Sequence, residues 1–459
     1  MVNKIELINK PKMYKKEMRK YMPRHDLKEL YQWQSLPLNE KILMTKRRIT
    51  EWVEKYGEDG VYISFSGGKD STVLLTIARE LYPNIKAVFV NTSLEYPEII
   101  KFVKTFDNVE IIKPKLTFRQ VIEKYGYPYI SKEISECVYG AKKYLTTLIE
   151  KIGDEQTDSQ KNIPYSYFFR KLLGLGECAK PNIDNNGVQE GGYDSESLHK
   201  LLDTNELKEL VYSRPKGEGQ RLRLARMLGM LDRQTQIKVN IEKKDRSSFN
   251  LTKWKFLLEA PFDISNQCCN AMKKSPAHSY QNKTGRKPIT AQMASESKLR
   301  TQQWMKNGCN GFEMKKPISN PMAFWTEQDV LLYIKVFNIK IASVYGDVVF
   351  EDGKEINIDG MDLLEEFDLD RHLLTTTGCQ RTGCVACGYG CHLEKGVGRF
   401  ELLKQTHPKL YDYIMRPDHT KKVVVDPKTG EEKIIDVRGL NYKENIDWLN
   451  EHGNLNIKY

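Results

Sequence analysis

The chain has 459 residues, of which 40% are hydrophobic and 29% charged, a balance typical of globular proteins and unlike that of disordered chains. Lysine and arginine (72) exceed aspartate and glutamate (61), for a net charge of +11. This charge is compatible with a phosphate-bearing or nucleic-acid partner and equally with a basic surface that binds nothing. No apolar run approaches membrane-spanning length, and the first residues lack the apolar core of a signal peptide, so we expect a cytoplasmic protein without a membrane partner.

Strands and helices alternate in the first third of the chain. A helical segment ends at Gly57, and the apolar run "GVYISFS" then predicts a buried strand. "STVLLTIARELYP" predicts a helix, "IKAVFVNT" a second strand, "LEYPEIIKFVKTF" a second helix and "VEIIKP" a third strand. This alternation predicts an α/β fold, a doubly wound and mostly parallel sheet with helices on both faces.

The middle of the chain is less regular. From about 142 to 255, polar loops surround a helical patch, "SLHKLLDTNELKELVY", and a basic, partly helical stretch, "RPKGEGQRLRLARMLGMLDRQTQ". Further on, "WTEQDVLLYIKVF" predicts a helix capped at Thr326, and "VGRFELLKQTHPKLYDYIM" a helix interrupted near Pro408. "KKVVVDPKTGEEKIIDV" predicts a hairpin with its turn at Pro427 to Gly430.

The turn between the first strand and its helix is suited to bind phosphate. Its six residues are Ser66, Gly67, Gly68, Lys69, Asp70 and Ser71. At the carboxyl edge of a parallel sheet, a helix N-terminus offers backbone N–H groups and a favourable dipole to an anion. The glycines allow close approach, the serines and the lysine add donors, and Asp70 would hold Mg²⁺ or cap the helix. Neither of two common phosphate-loop spacings, G-x-x-x-x-G-K-[ST] and G-x-G-x-x-G, is present. The alternative is an ordinary turn with a serine cap.

"SFSGGKDS" resembles the pyrophosphate loop (PP-loop) of the ATP-pyrophosphatase superfamily, and other motifs resemble its phosphoadenosine phosphosulfate (PAPS) reductase-like branch. "FVNTSLEYPEIIKFV" is similar to that family's second strand and helix, which implies that Thr92 and Glu95 lie near the nucleotide. "ASESKLRTQQW" is similar to its downstream basic motif, which implies that Ser297 and Arg300 lie near the phosphates. "MAFWTEQDVLLYI" resembles its late helix. The resemblance implies an adenine nucleotide α-hydrolase-like sheet.

The intact loop implies ATP as the substrate. Sulfonucleotide reductases generally have a degraded loop, whereas family members with an intact loop break ATP between the α and β phosphates. The resemblance therefore implies ATP with Mg²⁺ as the ligand, with Lys69, Asp70 and Arg300 as catalytic residues.

These motifs divide the chain into six segments. We assign an N-terminal helical segment, a first part of the PP-loop nucleotide-binding domain, an insertion, a second part of that domain, a cysteine-rich metal or cluster region, and a C-terminal hairpin and helix. Their ranges are 1–57, 58–141, 142–255, 256–345, 346–415 and 416–459.

The nine cysteines of an expected cytoplasmic chain favour metal, cluster or redox use over disulfides. The adjacent pair Cys268 and Cys269, followed by Cys384 and Cys387, resembles the [4Fe–4S] ligand set of adenylylsulfate (APS) reductases. A C-x-x-C pair turns two thiolates towards one metal, and a second pair completes a four-thiolate site.

A local ligand set is the alternative. Cys379, Cys384, Cys387 and Cys391 have the C-x4-C-x2-C opening of plant-type iron–sulfur sites. The same side chains could bind Zn²⁺, with His392 as a further ligand. Whether Cys379 or Cys391 is a ligand stays open at this point.

Three functions follow as hypotheses. The first is an ATP-dependent adenylating enzyme that transfers sulfur to nucleic acid (DNA or tRNA) or to a small molecule, with a sulfur donor or reductant protein as partner; an oligomer is compatible with it. The second is PAPS or APS reduction, but sulfonucleotide reductases carry a nucleophilic cysteine near the C-terminus, and this chain has none beyond His392. The third is a non-catalytic nucleotide-sensing module of a defence or mobile-element system.

Overall fold

The computed structural model describes residues 24–148, 182–183, 189–190, 195–213, 217–352, 373–425 and 432–459. The chain forms two compact units. The first comprises Met1–Pro114 and Lys274–Cys384, and the second comprises Lys115–Lys273 and Val385–Tyr459. The finer division into six segments stays a prediction.

Sixteen α-helices lie in the described residues. They are α1 Leu27–Gln34, α2 Leu38–Tyr56, α3 Lys69–Leu81, α4 Pro97–Val103, α5 Phe118–Tyr125, α6 Lys132–Thr147, α7 Ser195–Asp203, α8 Asn205–Ser213, α9 Glu218–Met227, α10 Gln267–Cys269, α11 Ser275–Thr284, α12 Lys298–Asn307, α13 Glu327–Val336, α14 Arg399–Thr406, α15 Pro408–Met415 and α16 Tyr442–Gly453. Shorter 3₁₀ turns lie at Glu58–Gly60, Lys243–Asp245, Thr252–Leu258, Ala294–Glu296, Ser343–Tyr345 and Cys391–Leu393, and a π-helix at Asn270–Lys274.

The strands of the described residues are mostly short. They are β1 Val61–Ser64, β2 Ala87–Val90, β3 Val109–Ile112, β4 Tyr129–Ile130, β5 Asn182–Ile183, β6 Gln189–Glu190, β7 Lys287–Ile289, β8 Asn310–Gly311, β9 Ile318–Ser319, β10 Val348–Phe350, β11 Leu374–Thr376, β12 Gly388–Tyr389, β13 Thr420–Val425 and β14 Glu432–Val437.

The first unit is built on a six-stranded sheet of order β3-β2-β1-β7-β9-β8. All neighbours are parallel except β8, which is antiparallel to β9. Ile63 of β1 pairs with Ala87 on one side and with Ile289 on the other. The chain runs outwards from β1 in one direction through β3 and later in the other through β7, so β1 lies at the topological switch point where open α/β sheets bind ligands. The predicted α/β fold is confirmed.

Helix α3 follows β1, and most of its residues are buried. Its apolar side chains Val73, Leu74, Leu75, Ile77 and Ala78 have no exposed surface, because the helix packs against both α2 and α13. The apolar face of the helix thus lies inside the unit. Its N-terminus lies at the glycine turn, and Glu80, near its C-terminus, is exposed.

The second unit is largely helical. Helix α6 packs against α9 and against the 3₁₀ turn Thr252–Leu258, and β4 pairs in parallel with β12. The predicted helical patch forms two helices, α7 and α8. The Thr204 hydroxyl accepts a hydrogen bond from the Leu207 N–H at 3.2 Å and so starts the second. The helix predicted to break near Pro408 is confirmed as α14 and α15, and the predicted hairpin as β13 and β14. Its turn lies outside the described residues.

No helix in the described part of the chain combines the length and the apolar character needed to cross a bilayer.

Candidate phosphate site and thiol-rich region

Gly67 is required by the shape of the turn. Its φ is +71°, a conformation that residues with a Cβ rarely adopt. A Cβ there would lie 2.7 Å from Cγ2 of Val103 and 2.9 Å from Cγ2 of Ile99. Helix α4 thus approaches the backbone of the turn so closely that only glycine fits.

The serines of the turn bond to each other and to the backbone. The Ser71 hydroxyl accepts from the Ser66 N–H at 3.1 Å and donates to the Gly68 carbonyl at 3.0 Å. The two hydroxyl oxygens are 3.0 Å apart. The serines therefore hold the loop in shape, a role that the sequence analysis did not assign to them.

The N-terminus of α3 is open to a ligand. Its N-cap residue is Gly68, and no side chain caps the helix. The first N–H of the helix, that of Lys69, donates to the hydroxyl of Tyr345 at 3.3 Å. The next two N–H groups lie in the first turn, where no carbonyl of the helix can accept a hydrogen bond from them. They can therefore donate to a bound anion.

The Lys69 side chain is buried, with 6% of its surface exposed. Its Nζ is 3.2 Å from Oε1 of Glu327 and 5.4 Å from the centre of the Tyr345 ring. Burial of an ammonium group is tolerated only with such compensation.

A cleft of about 370 Å³ opens in front of this turn. Its lining residues are Ser66, Gly68, Lys69, Asp70, Met293, Ser295, Glu296, Thr326, Glu327, Tyr345, Gln380, Arg381, Thr382 and Gly383. The cleft has the size of a small-ligand site, and four of the six predicted loop residues border it.

Asp70 lies among charged side chains. Burial raises the pKa of the Asp70 carboxyl, and the nearby Glu327 raises it further. Three cations oppose this rise: Lys69, Arg381 and Arg300. A carboxylate at this position is suited to share a divalent cation with phosphate oxygens.

The predicted phosphate-side residues Ser297 and Arg300 belong to α12. Ser297 is the N-cap, and its hydroxyl accepts from the Arg300 N–H at 3.4 Å. The Arg300 guanidinium forms an ion pair with Glu296. Burial lowers the pKa of Arg300, and Asp70 opposes this effect. Arg300 is therefore close enough to Asp70 to interact with it, although neither Arg300 nor Ser297 borders the cleft.

Thr92 and Glu95 follow β2 and bond to each other. The Thr92 hydroxyl donates to Oε1 of Glu95 at 2.7 Å, and the Thr92 N–H donates to Oε2 at 3.0 Å. These bonds shape the turn that leads into α4. Neither residue borders the cleft, and their contact with a nucleotide stays a prediction.

Sequence analysis assigned only four of the cleft's lining residues to the site, and the others include Glu327, Tyr345, Arg381 and Thr382. Thr382 and Tyr345 are joined by a hydrogen bond between their hydroxyls. Glu327 lies inside a motif that resembles the family's late helix, but only its helical character was recognised. Arg381 and Thr382 lie between two cysteines, and that spacing drew attention to the thiols alone.

Several cysteines belong to the second unit. Burial raises the pKa of Tyr389, and the thiols of Cys268, Cys269 and Cys387 add to this rise, so these three side chains lie near one tyrosine. Cys391 donates to the carbonyl of Cys387 at 3.6 Å. Cys384 is the last residue of the first unit. Three of the four proposed [4Fe–4S] ligands thus belong to the second unit and lie near Tyr389.

Burial acts on two of the thiols in this region, those of Cys387 and Cys391. It raises the pKa of Cys387, an effect that Cys269 increases, and it raises the pKa of Cys391 to about 12. The hydroxyl of Tyr129 and Nδ1 of His392 are buried without a hydrogen-bond partner among the described residues.

The chemistry of the donors suits iron or zinc, but a preformed ligand geometry is lacking. In the described ranges, no group of three or more His, Cys, Asp or Glu side chains is arranged to hold a metal ion. We therefore derive no reaction step through a cluster.

Comparisons with known proteins agree with this fold. Residues 60–143 match the phosphoadenosine phosphosulfate reductase domain family. Over 70 residues, 14% of the chain, it is 39% identical to an uncharacterized protein of Methanocaldococcus jannaschii, of which the match covers 17%. Over 97 residues, 20% of the chain, it is 26% identical to the adenosine 5'-phosphosulfate reductase of Staphylococcus haemolyticus, of which the match covers 40%. The chain therefore spans less than half the length of these curated relatives.

Proposed function

The chain is PAPS reductase-like over residues 60–143, and from this premise we propose that it is an enzyme that binds MgATP at the glycine turn and cleaves it between the α and β phosphates. The observation that carries the proposal is the uncapped N-terminus of α3, which opens with Lys69 into a cleft of about 370 Å³. Free N–H groups, a helix dipole and a lysine are the features that bind a polyphosphate.

The reaction is adenylyl transfer. An oxygen of the acceptor bonds to the α phosphorus while the bond to the bridging oxygen breaks, and pyrophosphate leaves with the electron pair. The acceptor's proton passes to solvent. Backbone N–H groups of the turn, together with Lys69 and Arg300, stabilise the charge on the departing pyrophosphate. Asp70 would hold a Mg²⁺ ion, which would neutralise part of the charge on the phosphates.

The adenylated acceptor is a nucleic acid (DNA or tRNA) or a small molecule, and adenylation prepares it for replacement of oxygen by sulfur. The support for sulfur is the likeness of one segment to an adenosine 5'-phosphosulfate reductase. A sulfur donor or reductant protein is the implied partner.

A [4Fe–4S] cluster, or alternatively Zn²⁺, is part of the proposal. Cys268, Cys269, Cys384 and Cys387 would hold it. The cleavage of ATP as proposed does not depend on it.

Product analysis tests the proposal. The protein is incubated with γ-labelled ATP and Mg²⁺, with total tRNA, DNA or small metabolites as acceptors. We expect labelled pyrophosphate, which Lys69→Met abolishes. The control Glu54→Gln, at an exposed position in the last turn of α2, should leave it unchanged. Labelled orthophosphate, or binding without turnover under all acceptors, contradicts the proposal.

Reduction of APS or PAPS is the second candidate, favoured by the match to adenosine 5'-phosphosulfate reductase. Sulfite release from either compound, with no pyrophosphate from ATP, would establish it in place of adenylyl transfer.

A further inference from the structure

The carboxylate of Glu327 lies between two cations of the cleft. Its Oε1 is 3.2 Å from Nζ of Lys69, and its Oε2 is 3.6 Å from Nη2 of Arg381. One anionic group thus receives a cation on each of its oxygens. A phosphate group of a bound polyphosphate would make the same type of contact.

Arg381 is held near the turn by its neighbour. The Thr382 hydroxyl bonds to the Tyr345 hydroxyl, which in turn accepts from the Lys69 N–H. The segment 380–383 therefore forms one wall of the cleft. The Arg381 side chain itself is 78% exposed, so it is free to reorient towards a ligand while its backbone stays fixed.

The charges that border the cleft do not favour a polyanion as they stand. Three carboxylates, those of Asp70, Glu296 and Glu327, face two cations, Lys69 and Arg381. Arg300 pairs with Glu296. A polyphosphate that entered without any rearrangement would meet uncompensated negative charge, which opposes binding.

The side chain of Glu327 can move away from Lys69 and Arg381 without disturbing the fold. It is the first residue of α13, its side chain is 40% exposed, and the cap of that helix is made by Thr326 and Asp329 instead. Rotation about its side-chain bonds would turn the carboxylate to solvent. The departure of Glu327 would free both Lys69 and Arg381 for a new anion.

We propose that Arg381 is a second phosphate-binding residue, and that Glu327 is a resident carboxylate that a polyphosphate displaces from Lys69 and Arg381. This inference rests on the proposed function, since it requires that the cleft binds the phosphates of ATP. It assigns to the wall 380–383 a direct contact with the ligand.

Calorimetric titration of the full chain with ATP and with inorganic pyrophosphate tests the inference, each with Mg²⁺ and with EDTA. Arg381→Ala is expected to lower the affinity for both probes at least tenfold, which corresponds to the loss of about one charge-assisted contact. Arg381→Lys is expected to restore part of that affinity. Glu327→Gln is expected to raise the affinity for pyrophosphate about fivefold in EDTA, because no carboxylate then competes with pyrophosphate for Lys69 and Arg381. Glu54→Gln makes the same change in net charge away from the cleft and should have no effect.

Each outcome decides a different point. If the unaltered chain binds neither probe, the proposed function fails and this inference with it. If it binds both and Arg381→Ala binds equally well, only the inference fails. If Glu327→Gln weakens binding with Mg²⁺ and changes nothing in EDTA, Glu327 is a magnesium ligand and not a displaced carboxylate. Circular dichroism of each variant confirms that it is folded.

Discussion

The two adjacent glycines of the turn are fixed by different constraints. Gly67 has a left-handed φ of +71° and no room for a Cβ, whereas Gly68 has an ordinary φ of −77° and a Cβ there would lie 3.2 Å from Oγ of Ser66. Gly67 is therefore needed for the fold of the turn, whereas Gly68 keeps the space in front of the turn open. "SGGKDS" alone predicts that both glycines allow close approach of a phosphate. It does not predict the separate role of Gly67, because Val103 is brought next to it only by tertiary packing.

Gly67→Ala is expected to destabilise the first unit by about 2–4 kcal/mol, since it combines backbone strain with a steric clash. Urea unfolding followed by tryptophan fluorescence measures the change. Gly285→Ala is the matched control, because Gly285 also has a left-handed φ, +75°, but nothing lies within 4 Å of its Cβ position. Equal losses of unfolding free energy in the two variants would show that the contact between Gly67 and α4 contributes nothing to stability.

The loop residues of the candidate site follow from the sequence, whereas its far wall does not. A strand, two glycines and a helix lie within one local stretch, so their geometry follows from local rules. Tyr345 and Arg381 come from distant parts of the chain and carry no local signal. Only the tertiary fold shows that they face the turn.

At the scale of helices, a buried ion pair connects α2 to α13. Nζ of Lys41 is 2.7 Å from Oδ1 of Asp329, and the two side chains are 2% and 1% exposed. Asp329 also accepts from the N–H of Thr326 at 2.7 Å, which completes the predicted cap of α13. The cap could be predicted because it is local. The partner of Asp329 could not, since Lys41 looks like any lysine of an amphipathic helix.

Asp329→Ala is expected to lower the free energy of unfolding by about 3–5 kcal/mol, because it leaves the buried ammonium group of Lys41 without its carboxylate partner. Denaturant titration provides the measurement. Glu313→Ala, which removes an exposed ion pair with Arg24, should cost about 1 kcal/mol or less. The double variant Lys41→Met/Asp329→Asn should be more stable than Asp329→Ala, since no charge is left unpaired and the cap persists. A single variant as stable as the parent would contradict this account.

At the scale of the whole molecule, the cysteines lead to a prediction about bound metal. We expect anaerobically purified protein to contain iron and sulfide. Cys269→Ser and Cys387→Ser should lose both, because each removes a ligand. Cys309→Ser should retain them, since Cys309 is buried in the first unit, among residues unrelated to the ligand set.

Elemental analysis and the visible spectrum give the readout. Zinc without iron would support the alternative metal, and loss of metal in Cys391→Ser but not in Cys384→Ser would support neither predicted set as it stands. Protein free of both metals would contradict the cluster proposal.

The sheet order has a consequence for how this chain is made. Strand β1 lies between β2, which follows it closely, and β7, which begins only at Lys287. While the ribosome is still producing the residues between Ser64 and Lys287, one edge of the innermost strand has no partner, and unpaired strand edges invite association with other chains. A nascent or truncated product that stops near residue 143 therefore cannot complete the pocket, and it would need a chaperone or rapid degradation to stay out of aggregates.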